Sequence, residues 1–221
     1  MMGRMLVVRT IAVAVALGAL AAPAAAAVPI DPALPVAEPR IVGFELPVAE
    51  PLVIDAMLLP GAPRAYRAGI HEGIDFRAPY GMPVHAARDG VVVRVDAAYV
   101  EWPYAERAAA LAAAVRDGGA SPEILDRIRG RQVWIDHGDG VVTRYAHLSR
   151  VSELHVGQRV AAGEVIGAVG ASGYPEGGPH LHFEIRVGDG YLGEALSAED
   201  VAYLVKRAFG ADRPRRPTGL Y

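Results

Sequence analysis

The chain has 221 residues, with 22 basic and 25 acidic side chains, a formal net charge of −3 and no cysteine. The missing thiol excludes disulfides, cysteine-ligated metal and a lipid-modified cysteine. A slightly acidic balance lacks the basic footprint of a nucleic-acid binder, so no nucleic-acid partner is expected.

In chain order, Arg4 and Arg9, an apolar stretch from Ile11, and Ala25-Ala26-Ala27 before Val28-Pro29 form the three regions of a secretory signal. Cleavage is expected after Ala27, with an uncleaved anchor as the rival and no stable membrane anchor expected. Residues 1–27 hold those two arginines and no acid, so their removal takes the charge from −3 to −5 and leaves 194 residues, enough for one domain with a sizeable core. Residues 28–62 are proline-rich, with Pro-Val-Ala-Glu-Pro at 35–39 and again at 47–51. Proline fixes φ and lacks an amide donor, which predicts a segment extended along the domain or partly disordered.

Residues 63–210 are expected to form the domain proper. Short strands separated by Gly and Asp are predicted at 91–96, 132–136, 141–145, 159–161, 165–169 and 181–187. Their spacing implies a mainly β, mostly antiparallel fold. Residues 98–130 interrupt it. Tyr104, Ala108, Leu111 and Val115 recur at helical spacing, Pro103 suits the first helical position, and Gly118-Gly119 ends that helix. Ser121-Pro122 begins a second short helix that stops at Gly130, completing an inserted helical hairpin. A last helix is predicted from Ala198 to Phe209, with Ser197 as N-cap and Gly210 as stop. Residues 211–221 are a basic, proline-containing tail.

Four of the seven histidines gather in short glycine-flanked segments: His71-x-x-x-Asp75, Tyr-Ala-His147-Leu and His180-Leu-His182. Nitrogen and carboxylate donors that leave one position open are what a catalytic zinc requires, so three of the five groups are candidate ligands and the other two candidate proton carriers. His180, His182 and Glu184 alternate with Leu181, Phe183 and Ile185, which places both imidazoles on one strand face. Residues two apart on a strand lie about 7 Å apart, so one of the pair ligates and its neighbour handles protons. Gly73 is expected to bend the chain between His71 and Asp75. His137 reads as a hairpin-turn residue, and His85 and His155 as surface positions. Tyr145, two residues before His147, is either an assisting group or a packed core tyrosine.

These blocks resemble the lysostaphin-type or LytM-like zinc metalloendopeptidases, which cut peptidoglycan cross-bridges. The matching text is His-Glu-Gly-Ile-Asp-Phe from His71, Thr-Arg-Tyr-Ala-His-Leu from Thr143, Val-Gly-Gln-Arg-Val from Val156 and Gly-Pro-His-Leu-His-Phe-Glu from Gly178, spanning about 69–187. The resemblance implies an antiparallel β-sandwich in which His71, Asp75 and His182 ligate one zinc per chain, while His147 and His180 form the catalytic pair. It implies peptide cross-links of peptidoglycan as substrate, a D,D cross-link or a glycine bridge, and a periplasmic or extracellular location. The division of roles between His147 and His180 stays open. The chain departs from the pattern in a longer loop at 174–177 and in the 98–130 insertion, which is expected to border the substrate groove or to dock a regulatory protein, with a purely decorative role as the alternative.

Two other functions compete. Relatives of this kind that have lost ligands act as non-catalytic activators of cell-wall hydrolases, which the full donor set argues against. A lipoyl-type carrier would need a lysine in its hairpin turn, and the lone lysine, Lys206, lies in the last helix.

Overall fold

In this computed structural model the described residues are 41–210. The expected signal segment, the first Pro-Val-Ala-Glu-Pro and the basic tail lie outside them. An irregular stretch leads in from residue 41, with Phe44, Val48 and Leu59 buried. Backbone bonds tie it to the domain: Phe44 N donates to Ala208 O and Glu45 N to Ala87 O.

Strands β1 (Pro63–Arg64) and β2 (Gly69–Ile70) pair around a 3-10 turn, Ala65–Arg67, and are followed by β3 (Ile74–Phe76), β4 (Pro83–His85) and β5 (Gly90–Val95). Helices α1 (Tyr104–Asp117) and α2 (Pro122–Arg129) come next. The chain continues through β6 (Val133–Asp136), β7 (Val141–Ala146), β8 (Arg150–Val151), β9 (Arg159–Val160), β10 (Val165–Ala168), β11 (Leu181–Val187) and β12 (Gly190–Tyr191) to α3 (Ala198–Ala208). The large sheet runs β12-β11-β7-β6-β5-β9, with β3 also on β11, and a small sheet runs β4-β10-β8. Both are antiparallel throughout. The fold is therefore the mainly β antiparallel architecture that the sequence predicts, with the helical hairpin inserted between neighbouring strands β5 and β6 and a helix at the C-terminal end.

Local chemistry sets the helix ends. Gly118 closes α1 in the left-handed region at φ 80°, its amide returning to Ala114 O. The side chains of Ser121 and Ser197 cap α2 and α3 by accepting from Ile124 N and Asp200 N.

The core lies between the two sheets, where Val92, Ile135 and Phe183 of the large sheet meet Val84 and Ile166 of the small one, and Val205 and Ala208 of α3 add to it. Each of these valine, isoleucine and phenylalanine side chains contributes about 1.5–3 kcal/mol by leaving water. Tyr145 belongs to this core. It is fully buried, its hydroxyl accepting from Ala87 N at 2.8 Å and lying 3.0 Å from Thr143 Oγ1. Its expected alternative as an assisting group fails because β7 ends at Ala146 and His147 turns away in the left-handed region at φ 62°. His137 does flank the β6–β7 turn, but its ring is also held by Asp89 O and Thr143 Oγ1, at 2.8 and 2.7 Å. His155 is exposed, whereas His85 is half-buried within β4.

Candidate metal centre

Strand β11 alternates Leu181, Phe183 and Ile185 into the core, leaving His182 and Glu184 on the opposite face. Strand β3 likewise buries Ile74 and Phe76 and leaves Asp75 outward. The register places Asp75 and His182 directly opposite one another. Gly73 forms the bend expected of it, directly before β3, and it also serves a second purpose. It lies where a Cβ would come within 2.6 Å of Phe183 O and 2.9 Å of His182 Cε1, so only glycine lets the segment that carries His71 pass this close to β11.

His71 Nε2, Asp75 Oδ1 and His182 Nδ1 converge at 2.9, 3.0 and 3.0 Å from one another. Tetrahedral ligands about 2.0–2.1 Å from a zinc lie roughly 3.3 Å apart, so this triangle needs only a small expansion to accept one. The hydrogen bonds behind it set the chemistry. His71 Nδ1 donates to Leu59 O at 3.0 Å, which leaves a lone pair on Nε2. His182 Nε2 donates to Glu184 Oε1 at 3.1 Å, which aims Nδ1 at the same point. Asp75 Oδ2 is occupied by Arg64 Nη2 at 2.8 Å, which turns Oδ1 inward. Three electron-pair donors meeting at one point require a positive charge there, either a proton on His182 or a metal cation. Burial lowers the His182 imidazole, yet Asp75 and Glu184 on its two nitrogens leave it above its ordinary value. Asp75, against the cost of its burial, is held ionised well below the usual carboxylate range by His182 and His71.

The other two candidates stand beside this triangle. His147 and His180 have ring centroids 4.6 Å apart, and His180 Nε2 lies 3.9 Å from Asp75 Oδ1. Each is held from behind by a carbonyl: His147 Nδ1 donates to Ser172 O and His180 Nδ1 to Gly178 O, both at 2.9 Å. A carbonyl can only accept, so both rings carry a proton on Nδ1, and in a neutral ring the lone pair is then on Nε2. Burial, then the neighbouring His180 and His182, push the His147 imidazole well below its ordinary value. The structure thus brings together all five residues singled out in the sequence, and His85, His137 and His155 take no part in the cluster.

Several supporting residues went unrecognised in the sequence. Glu184 is fully buried, with Arg129, Arg144 and Arg186 around its carboxylate at 2.6, 3.3 and 3.3 Å. It was legible in principle, two residues after His182 on the same strand face. Nothing in the sequence signalled Arg64, Arg129, or the carbonyls of Leu59, Ser172 and Gly178. A cavity of about 520 Å³ opens over the histidines, walled by Arg64, Tyr66 and Arg77 and by Leu125 and Ile128 of α2. Tyr66 and Tyr174, which also line it, stack with centroids 4.5 Å apart.

The sequence profile described as Peptidase family M23 matches residues 69–194. The DD-carboxypeptidase/endopeptidase Mpg of Neisseria meningitidis serogroup B is 34% identical over 149 residues, which cover 66% of this chain and 27% of that protein. The peptidoglycan DD-endopeptidase ShyA of Vibrio cholerae is 35% identical over 125 residues, 57% of this chain and 22% of that protein. The crystal structure of a zinc containing peptidase from Vibrio cholerae aligns with a TM-score of 0.41 at 29% identity, covering 66% of this chain and 31% of that one. The match therefore spans only about a quarter of the length of these curated relatives.

Proposed function

The chain belongs to peptidase family M23, and on that footing we propose that it is a zinc metalloendopeptidase that hydrolyses D,D peptide cross-links of peptidoglycan. His71, Asp75 and His182 are the ligands, and His147 and His180 the groups that move protons. The observation that carries this reading is the convergence of three ligand atoms within 2.9–3.0 Å beside two histidines that each direct Nδ1 to a carbonyl. The complete donor set argues against a non-catalytic regulator. Relatives named as DD-endopeptidases support the D,D bond over a glycine bridge. Such a substrate lies outside the cytoplasmic membrane, so the proposal includes export, in keeping with the signal-like pattern of residues 1–27.

A zinc bound there supplies Lewis-acid polarisation of the scissile carbonyl and acidifies the attacking water. The chain's own residues do the rest. His147 and His180 present Nε2 to the site, where it can take the proton of the attacking water and return it to the departing amine as the C–N bond breaks. The burial that keeps His147 neutral keeps that lone pair available. Arg64 and Glu184 hold the ligand side chains in their inward orientation.

The test is digestion of purified sacculi of defined chemistry by the zinc-loaded protein, with the new termini identified by mass spectrometry. New D-Ala carboxyl termini, lost on chelation and regained with zinc, are expected. Sacculi left intact by folded, zinc-loaded protein would refute the reading, and glycine termini would redirect it to the bridge peptide.

A further inference from the structure

Both proton-carrying histidines of the proposed function lean on one segment, residues 172–178, whose first and last carbonyls receive their Nδ1–H groups. What holds that segment in place is the inserted hairpin. Trp102, buried just before α1, donates Nε1–H to Gly173 O at 3.0 Å. Glu101 Oε2 accepts from Gly173 N at 2.8 Å. Arg107 of α1, 4% exposed, grips Glu176 with two nitrogens at 2.6 and 3.0 Å and also donates to Glu101 Oε1 and Trp102 O. Gly173, at φ 82°, packs so tightly on the end of α2 that a Cβ would collide with Ile128 O. The main chain of His147 is tied to the same insertion, its amide donating to Arg129 O at 2.8 Å.

We propose that Trp102 and Arg107 are positioning residues: by clamping residues 172–178 they keep the Ser172 and Gly178 carbonyls on the Nδ1–H groups of His147 and His180, and so keep each Nε2 facing the reacting atoms. The inference rests on the reading that these two histidines move protons. A buried guanidinium costs several kcal/mol unless fully paired, and an insertion that only decorated the sheet would have no need to direct one at this loop. The tautomer of an imidazole is set by the partner of its other nitrogen, so a loosened loop lets His147 place its proton on Nε2, where it can no longer accept one. The ligand triangle is anchored separately, by Leu59 O, Arg64 and Glu184. Loss of the clamp should therefore spare the metal.

Trp102→Phe keeps a smaller aromatic ring and removes one donor, whereas Arg107→Met removes the clamp and keeps most of the volume; Arg107→Lys restores the charge without the two-nitrogen grip. In the full zinc-loaded chain, Trp102→Phe and Arg107→Met should lower kcat on a soluble cross-linked muropeptide by about tenfold or more, with KM within about twofold and one zinc retained per chain. Arg107→Lys should recover part of the loss. Nitrogen-15 spectra of the His147 ring should show the Nδ1–H form giving way to a mixture in both variants, with or without zinc. An unchanged kcat in folded, zinc-bearing variants overturns the proposal. So does a fall in kcat with an unaltered His147 spectrum. Full activity of His147→Ala would overturn instead the proton-carrying role on which the inference rests, while the ring spectra would still report whether the clamp sets the tautomer.

Discussion

Asp75 and His182 are directly opposed partners across the β3–β11 ladder, with Asp75 Oδ1 3.0 Å from His182 Nδ1. Two ligand atoms separated by 107 positions in sequence are thus brought together by strand register. A slip of one residue would exchange either group for its core-facing neighbour. Gly73 guards that register, because the atom nearest its absent Cβ is the main-chain oxygen of Phe183, which cannot step aside. Gly73→Ala should lower metal affinity at least about tenfold while leaving the far-ultraviolet spectrum of the sheets intact. Chelator competition measures this, and parental affinity would show that the close approach is dispensable.

Ligands and proton carriers should separate by mutation. His71→Ala, Asp75→Ala and His182→Ala each remove one of three donors, and metal content after dialysis should fall sharply. His147→Ala and His180→Ala should retain near-stoichiometric zinc and lose hydrolysis by about 10²–10⁴-fold. Near-full zinc in His182→Ala, or parental sacculus digestion by His180→Ala, would break the corresponding assignment.

Glu184 joins the metal centre to a buried charge cluster. It accepts from His182 Nε2 at 3.1 Å and lies against three arginines, two of which, Arg129 and Arg186, also reach Glu72. Glu184→Gln leaves an acceptor for His182 but removes the central negative charge. Removing one partner of a buried charge cluster costs about 3–5 kcal/mol, and disturbing the group behind a metal ligand costs about 10–100-fold in affinity. Chemical denaturation and chelator competition should both register the change, and a variant altered in neither would make Glu184 a bystander.

The Arg107–Glu176 pair has a pH signature of known sign. Arg107 holds the Glu176 carboxyl below the ordinary carboxylate range. A carboxylate depressed in the folded state stabilises it above the unfolded value, about 4.3, and loses that contribution as pH falls through the folded value. Glu176 is 38% exposed, so the contribution is under about 1 kcal/mol. Glu176→Gln should melt slightly below the parent at pH 7, with the gap closing as pH drops below about 4. A gap that persists or widens in acid would assign the difference to something other than this carboxylate.

Much of the architecture and the chemical inventory of the site were written in local patterns. Strand β11 runs Leu181–Val187 as alternation predicts, because a half-buried strand must alternate apolar and polar side chains. Helix α1 starts just after Pro103, whose fixed φ suits a helix start, and stops at Gly118, because glycine takes the left-handed conformation that other residues resist. The histidine-aspartate set stood out because so few side chains can hold a metal or carry a proton near neutral pH. Tertiary structure alone decided how those groups are used. Backbone carbonyls at Leu59, Ser172 and Gly178 set three of the four imidazole tautomers, and every residue has a carbonyl, so no sequence marks which one will face a histidine. Arg64 meets Asp75 only because β1 and the irregular chain around Met57 bring it there. Tyr145 and His147, two apart in sequence, part company because one left-handed residue ends the strand between core and site. The helical hairpin was legible as a hairpin, but its grip on residues 172–178 was not, since a contact between Arg107 and Glu176, 69 positions apart, exists only once both elements are packed.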